Sequence, residues 1–263
     1  MKLYNLKTND GVKLAVEKEG KLYDLSPLTM SDVISGAKIE NTGKEITGET
    51  ANVVEPGKIV CVGLNYKAHA DNVSFKSADV PTLFSKFNDA LTPAGSNVVL
   101  PPWENSYDYE AELVIVIGKK AWNVTADEAG DYIFGYTCGN DLSLRDAQKA
   151  STQWLIGKTM PGFAPCGPCI VTADEFDPFD GKNIKSYVNG VLKQDGYTTE
   201  MIFNVKEIVA YASKYICLEP GDLIFTGTPS GVALEKAEKN WLKPGDKVDV
   251  VIEGIGTLSN LMV

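Results

Sequence analysis

Histidine is almost missing from this sequence: His69 is the single one in 263 residues. Any step that needs an imidazole base near neutral pH has one candidate. Cysteine is sparse and odd in number, at Cys61, Cys138, Cys166, Cys169 and Cys217. A disulfide scaffold is excluded, and reduced thiols are expected. No apolar run approaches the roughly 18 residues that a membrane-spanning helix needs, so no membrane partner is expected. The opening MKLYNLKTNDGVKLAV has neither the continuous apolar core nor the small-residue cleavage site of a signal peptide. A cytoplasmic location is the expectation.

Positive charge is also short. Lys and Arg number 25 against 35 Asp and Glu, a net charge of −10. Such a surface repels phosphate backbones, which argues against a nucleic-acid partner. An anionic substrate would need a local cation, either a bound metal or convergent Lys and Arg. Nucleotide-cradling glycine patterns are incomplete. Gly157-Lys158-Thr159 has Thr152 where a P-loop needs glycine. Gly254-Ile255-Gly256-Thr257-Leu258-Ser259 lacks the third glycine of a dinucleotide fingerprint. Ser230 has Thr228 where a nucleophile elbow needs glycine. No nucleotide cofactor is expected.

What is present is an ordinary globular composition, 44% hydrophobic and 23% charged. The length suffices for a sizeable core without a disulfide or structural metal. Residues 1–56 read as a small β-meander, with turns at Asn9-Asp10-Gly11 and Glu19-Gly20 and a capped short helix over Ser26–Ile34. Glu55-Pro56-Gly57 marks a boundary, and 57–263 is read as the catalytic domain. Strands are expected at 58–64, 112–118, 169–172, 184–188, 223–226 and 247–252, with a hairpin turn at Asn189-Gly190. Short helices are expected in Asn65–Val73, Ala126–Asp131 and 141–150, and a longer one over Ile202–Tyr215. Strands and helices without βαβ alternation predict an α+β fold dominated by sheet.

The acidic stretch Asp108-Tyr109-Glu110-Ala111-Glu112 carries chemistry. Residues two apart on a strand share a face, with Cα atoms roughly 6.5–7 Å apart. Glu110 and Glu112 can then converge on one hard cation, or belong to a solvated strand face. The strand continues as LVIVIG, apolar on both faces, and two buried carboxylates demand a partner. Asp141, Arg145 and Gln148 have one-face spacing if 141–150 is helical. Asp141 could instead be a helix N-cap, and Arg145 a surface ion-pair partner. Two Glu and one Asp form an oxygen set suited to Mg²⁺ or Mn²⁺. His69 could be a base or a structural residue. Lys158 could meet an anion or solvent. Gly227–Gly231 could hold a carboxylate or be only a turn. Cys166-Gly167-Pro168-Cys169 has redox spacing, but the apolar run behind it makes Cys169 the start of a strand rather than of a helix.

Six segments in order then become informative together: GLNYKAH (63–69), DYEAELVIVIG (108–118), GNDLSLRDAQ (139–148), LIGKTMPGFAPCGP (155–168), VNGVLKQ (188–194) and GDLIFTGTPSGV (221–232). They resemble the fumarylacetoacetate hydrolase family over about residues 57–263. The resemblance implies a rolled, mixed β-sandwich with short helices, usually dimeric. It implies one divalent cation, Mg²⁺ or Mn²⁺, on Glu110, Glu112 and Asp141. It also implies substrate contacts from Arg145, Gln148 and Thr228, with His69 and Lys158 catalytic. Many small members carry Glu three residues after the histidine; here that position is Asn72. Larger members have Asn there and a Glu from a distant segment, which this sequence does not reveal.

The expected function is metal-dependent C–C hydrolysis of a small anionic 2-oxo acid of the acylpyruvate or fumarylpyruvate type. The alternative is a decarboxylase or an isomerase/tautomerase, on oxaloacetate or a dienoic acid, at the same site. A thiol oxidoreductase or a non-catalytic binder would need Cys166 chemistry or the absence of turnover. Specificity would come from loops around 70–90 and 149–155.

Overall fold

The computed structural model describes residues 1–40, 42–72 and 79–263. Among these, a large sheet runs in the order 21–24, 11–18, 2–8, 164–172, 133–140, 111–117, 223–225, 59–63, 82–86. Short strands at 49–50 and 91–93 attach to its side. A five-stranded sheet, 191–197, 183–188, 247–252, 256–262 and 97–98, faces it. This is the rolled, mixed β-sandwich with few and short helices that the resemblance implies. The N-terminal meander belongs to the same sheet, because Lys2–Thr8 pairs antiparallel with Ala164–Thr172.

The sandwich follows from the strand Ala111–Ile117, every residue of which is buried. Leu113, Ile115 and Ile117 enter the core against the five-stranded sheet, beside Ile184, Val250 and Leu258. Val114 and Val116 enter a second core with Leu3, Leu14 and Ile170 of the meander side. Strand alternation thus divides one apolar run between two cores. Each such side chain contributes roughly 1.5–3 kcal/mol by leaving water.

Several sequence expectations shift. The helix expected over 141–150 spans only Arg145–Lys149, so Asp141 is not on its face. Asp141 follows the strand Ile133–Asn140, and Ser143–Leu144 pairs with Tyr107–Asp108 instead. The backbone pairing to a neighbouring segment outweighs helical spacing. The helix at 26–34 is Met30–Ile34, capped by the Thr29 side chain. The later one is Val205–Tyr215, capped by Asn204. A 3-10 turn over Ala129–Tyr132 replaces the helix at 126–131. The helix after Asn65 spans Lys67–Asn72; Val73 lies outside the described residues. Cys166 and Cys169 both lie inside the strand Ala164–Thr172, as free thiols. Among the described residues no helix is long and apolar enough to cross a membrane.

Candidate active site with a candidate metal centre

Glu110 stands just before the strand Ala111–Ile117, and Glu112 lies within it. The Glu110 carbonyl accepts from the Asp141 N–H at 2.9 Å, and the Glu110 N–H donates to Asn140 Oδ1 at 3.0 Å. Those two bonds, rather than a helix, set Asp141 beside the pair. One carboxylate oxygen from each of Glu110, Glu112 and Asp141 lies within 4.8 Å of the others, and all three residues are buried.

The cations around them are also buried. Lys158 Nζ reaches Glu110 Oε2 at 2.8 Å and Asp141 Oδ2 at 2.7 Å. Arg145 Nη2 bridges Glu110 Oε1 at 2.7 Å and Asp108 Oδ2 at 2.8 Å. Arg145 Nη1 donates to Gln148 Oε1 at 3.0 Å. Burial alone would push the Glu110 carboxyl up, but Lys158 and Arg145 outweigh it and hold it well below its ordinary range. Burial likewise disfavours the charged Lys158, and Asp141 and Glu110 reverse that, raising it.

Glu112 is different. Among the described residues no ion pair reaches it, and its Oε2 accepts only the Gly227 N–H, at 2.8 Å. Burial pushes its carboxyl well up, and the Asp141 and Glu110 carboxylates push it further. A buried, like-charged carboxylate facing two others is what a divalent cation would relieve. Four buried carboxylates, Asp108, Glu110, Glu112 and Asp141, face three buried cations, Lys86, Arg145 and Lys158. Hard oxygen donors of this kind fit Mg²⁺ or Mn²⁺.

His69 lies on the helix Lys67–Asn72 and is 6% exposed. Its Nδ1 is 2.5 Å from Glu235 Oε1. Glu235 is the residue that sequence reasoning missed. Its Oε2 accepts from Asn72 Nδ2 at 3.1 Å and from the Gly231 N–H at 2.8 Å. Asn72 thus holds a distant Glu where many family members have their own. Asp108 positions that Glu: its carboxylate accepts the N–H groups of Ala233 and Leu234, at 2.8 and 3.0 Å, while pairing with Arg145.

Thr228 Oγ1 donates to the Ala111 carbonyl at 2.8 Å and accepts from Gln194 Nε2 at 2.7 Å. Gln194 Oε1 accepts the Ala111 N–H at 2.9 Å, so this second missed residue ties the facing sheet to the acidic strand. Gly227 has φ +94, and a Cβ there would lie 2.7 Å from Asn65 Cβ. Only glycine brings its N–H to Glu112 so closely. Lys86, also unforeseen, is buried with Nζ 2.6 Å from Asp141 Oδ1. It also donates to the carbonyls of Leu142 at 3.0 Å, Phe163 at 2.7 Å and Lys158.

A cavity of about 620 Å³ opens onto these groups, with His69, Glu110, Glu112, Arg145, Lys158 and Thr228 in its wall. Gln148 lines it too, so every sequence-predicted site residue except Asp141 reaches the cavity surface. Asp141 lies behind Lys86 and Lys158. The arrangement can bind an anion, hold a hard cation and move a proton. Cys166 and Cys169 line neither this cavity nor a helix start.

Comparison with known proteins agrees. The family described as the C-terminal domain of fumarylacetoacetate (FAA) hydrolase matches residues 58–263. A fumarylacetoacetate hydrolase domain-containing protein 2 homolog of Dictyostelium discoideum is 46% identical over 219 residues, 79% of this chain and 72% of that protein. Human mitochondrial oxaloacetate tautomerase FAHD2A is 40% identical over 216 residues, 81% of this chain and 68% of that one. Among solved structures, a fumarylacetoacetate hydrolase from Exiguobacterium antarcticum superposes with TM-score 0.91 at 33% identity, covering 100% of this chain and 99% of that one. A 2-hydroxyhepta-2,4-diene-1,7-dioate isomerase from Mycobacterium marinum does so with TM-score 0.86 at 36% identity, covering 100% and 98%.

Proposed function

The chain belongs to the fumarylacetoacetate hydrolase family, and from that premise we propose that it moves a proton at the carbon beside the oxo group of a 2-oxo acid. Glu110, Glu112 and Asp141 would hold one divalent cation, Mg²⁺ or Mn²⁺. When bound, that ion supplies positive charge to the oxo and carboxylate oxygens of the acid. The observation that carries the reading is His69, backed by the Glu235 carboxylate, in the same cavity wall as Glu110 and Glu112.

The chain's own groups divide the work. Arg145, Gln148 and Lys158 offer donors to the substrate's carboxylate, and Thr228 offers a hydroxyl. The Glu235 carboxylate takes the Nδ1 proton of His69 as a hydrogen bond, which leaves the lone pair on Nε2. Nε2 removes a proton from C3 of the oxo acid. The C–H electron pair becomes the C2=C3 bond, and the oxo oxygen accepts the proton to give the enol. The reverse gives the oxo form. Relatives named as tautomerases and isomerases support this reading.

C–C hydrolysis is the second reading, favoured by Glu235 itself. A carboxylate-backed imidazole can take a proton from water instead. The hydroxide adds to a distal carbonyl, the bond between that carbon and C3 breaks, and its electron pair is protonated at C3. The products are a carboxylic acid and pyruvate. The test is to follow the enol absorbance of oxaloacetate and of acylpyruvates with Mg²⁺ or with EDTA, and to identify products by NMR. Mg²⁺-dependent enol–oxo conversion without cleavage is expected. Acid plus pyruvate would establish the second reading, and no metal-dependent change on any substrate would overturn both.

A further inference from the structure

Oxaloacetate has nine non-hydrogen atoms, whereas pockets of roughly 300–1,000 Å³ hold drug-sized ligands. At about 620 Å³ this cavity has room well beyond a four-carbon acid. Thr82, Ser151, Thr152 and Gln153 are uncharged polar lining, and Leu64, Leu83, Phe84, Trp154 and Leu234 give its wall an apolar stretch. All five of these side chains are half-buried, still partly facing open space.

Two features hold that wall in place. Phe84 and Trp154 meet edge-to-face, with ring centroids 5.4 Å apart. The indole rests on Gly63, where a Cβ would come within 2.2 Å of Trp154 Cζ3. A side chain at 63 would displace the ring. Leu64 stands next in sequence with φ +57. That conformation is costly for a bulky residue, and Gly or Asn would take it more cheaply. The strained backbone nonetheless presents an aliphatic group to the cavity.

Among the described lining residues the Lys and Arg cations are Arg145, Lys149 and Lys158, and Lys158 Nζ lies 5.1 Å from the Phe84 ring centroid. Arg145 and Lys158 pair with Glu110, at the end where the 2-oxo acid's own carboxylate would bind. Lys149, the remaining cation among the described lining residues, is exposed at the last turn of the helix Arg145–Lys149.

We propose that the site prefers 2-oxo acids whose far end is apolar and extended, an acylpyruvate with an alkyl or aryl acyl group, over those ending in a second carboxylate. This rests on the proton-transfer reading of the same site. Trp154 and Phe84 set the preference, by covering the tail. Each methylene removed from water is worth roughly four-fold in binding, so a three-carbon alkyl tail gives more than ten-fold.

The experiment compares kcat/KM for butanoylpyruvate, benzoylpyruvate, succinylpyruvate and oxaloacetate, with Mg²⁺, in the wild type, Trp154→Ala and Gly63→Ala. Butanoylpyruvate and succinylpyruvate match in length and differ in the terminal carboxylate. A ten-fold or greater preference for butanoylpyruvate and benzoylpyruvate is expected. The butanoyl-to-succinyl ratio should fall at least five-fold in both variants; Gly63→Ala displaces the indole without deleting apolar surface. Equal or better turnover of succinylpyruvate or oxaloacetate would overturn the preference and leave proton transfer standing. An unchanged ratio in both variants would overturn the role of Trp154. No metal-dependent turnover of any of the four would overturn the underlying reading.

Discussion

Glu235 reaches His69 across 166 residues of sequence, with Oε1 2.5 Å from Nδ1. Both side chains are almost wholly buried, at 4% and 7% exposure. The pairing fixes which ring nitrogen is left for substrate. Glu235→Gln should lower kcat by roughly 10²–10⁴-fold, the usual worth of a positioned base. His69→Ala should do at least as much. Mg²⁺ affinity, measured by calorimetry, should stay within a few-fold in both. Asn72→Ala removes one of two groups holding Glu235 Oε2, and a smaller loss of kcat is expected. A Glu235→Gln enzyme with full activity would exclude the pair from the chemistry.

Glu112 has no ion-pair partner among the described residues, and burial and its carboxylate neighbours push it up, outweighing the pull of Lys158. In chelator-treated protein, Glu112→Gln removes that repulsion and should raise Tm, by roughly 1–3 kcal/mol of stability. Added Mg²⁺ should raise the wild-type Tm and leave the variant's unmoved. A metal-dependent Tm rise equal in both would place the ion elsewhere.

Lys86 holds Asp141 Oδ1 at 2.6 Å and three backbone carbonyls. Lys86→Met fills the volume but leaves the carboxylate oxygen and the carbonyls without their donor. Breaking a buried pair costs about 3–5 kcal/mol, so urea unfolding should show a loss of that size. Unchanged stability would mean that the lysine is dispensable.

Burial pushes the Cys166 thiol up to about 12 and the Cys169 thiol up to about 11. An unfolded cysteine titrates near 8.5. Both thiols are neutral in either state below about pH 8.5, so stability there does not depend on them. As pH rises from about 8.5 toward 11–12, the unfolded chain ionises first and stability falls. Urea midpoints should drop between pH 8 and pH 10, and drop less in a Cys166→Ala, Cys169→Ala double variant. Iodoacetamide at pH 8 should label these two only after denaturation. Rapid labelling of the native protein would contradict the burial and reopen thiol chemistry.

The two-residue period of Glu110 and Glu112 and the apolar run behind them were readable, because a buried strand writes its pattern locally. Asp141 was readable as a carboxylate but not by position. Helical spacing pointed to Arg145 and Gln148, whereas the bonds to Glu110 and Asn140 bring Asp141 in. Glu235 was invisible for a different reason. It sits in Ala233-Leu234-Glu235-Lys236-Ala237-Glu238, an ordinary charged stretch. Only the fold carries that segment to His69, through Asp108 and the Gly231 N–H. Gln194 lay in a segment that bears the family resemblance, yet its job of bracing Thr228 depends on a contact between two sheets.

Proton transfer at C3 by His69 can be read by deuterium exchange, without requiring turnover to product. A slowly enolising 2-oxo acid in D₂O is incubated with the protein and Mg²⁺ and followed by proton NMR. Loss of the C3 proton signal is expected with wild type, abolished by EDTA and slowed at least 10²-fold in His69→Ala. Exchange at the solvent rate with wild type, or undiminished exchange in His69→Ala, would contradict it.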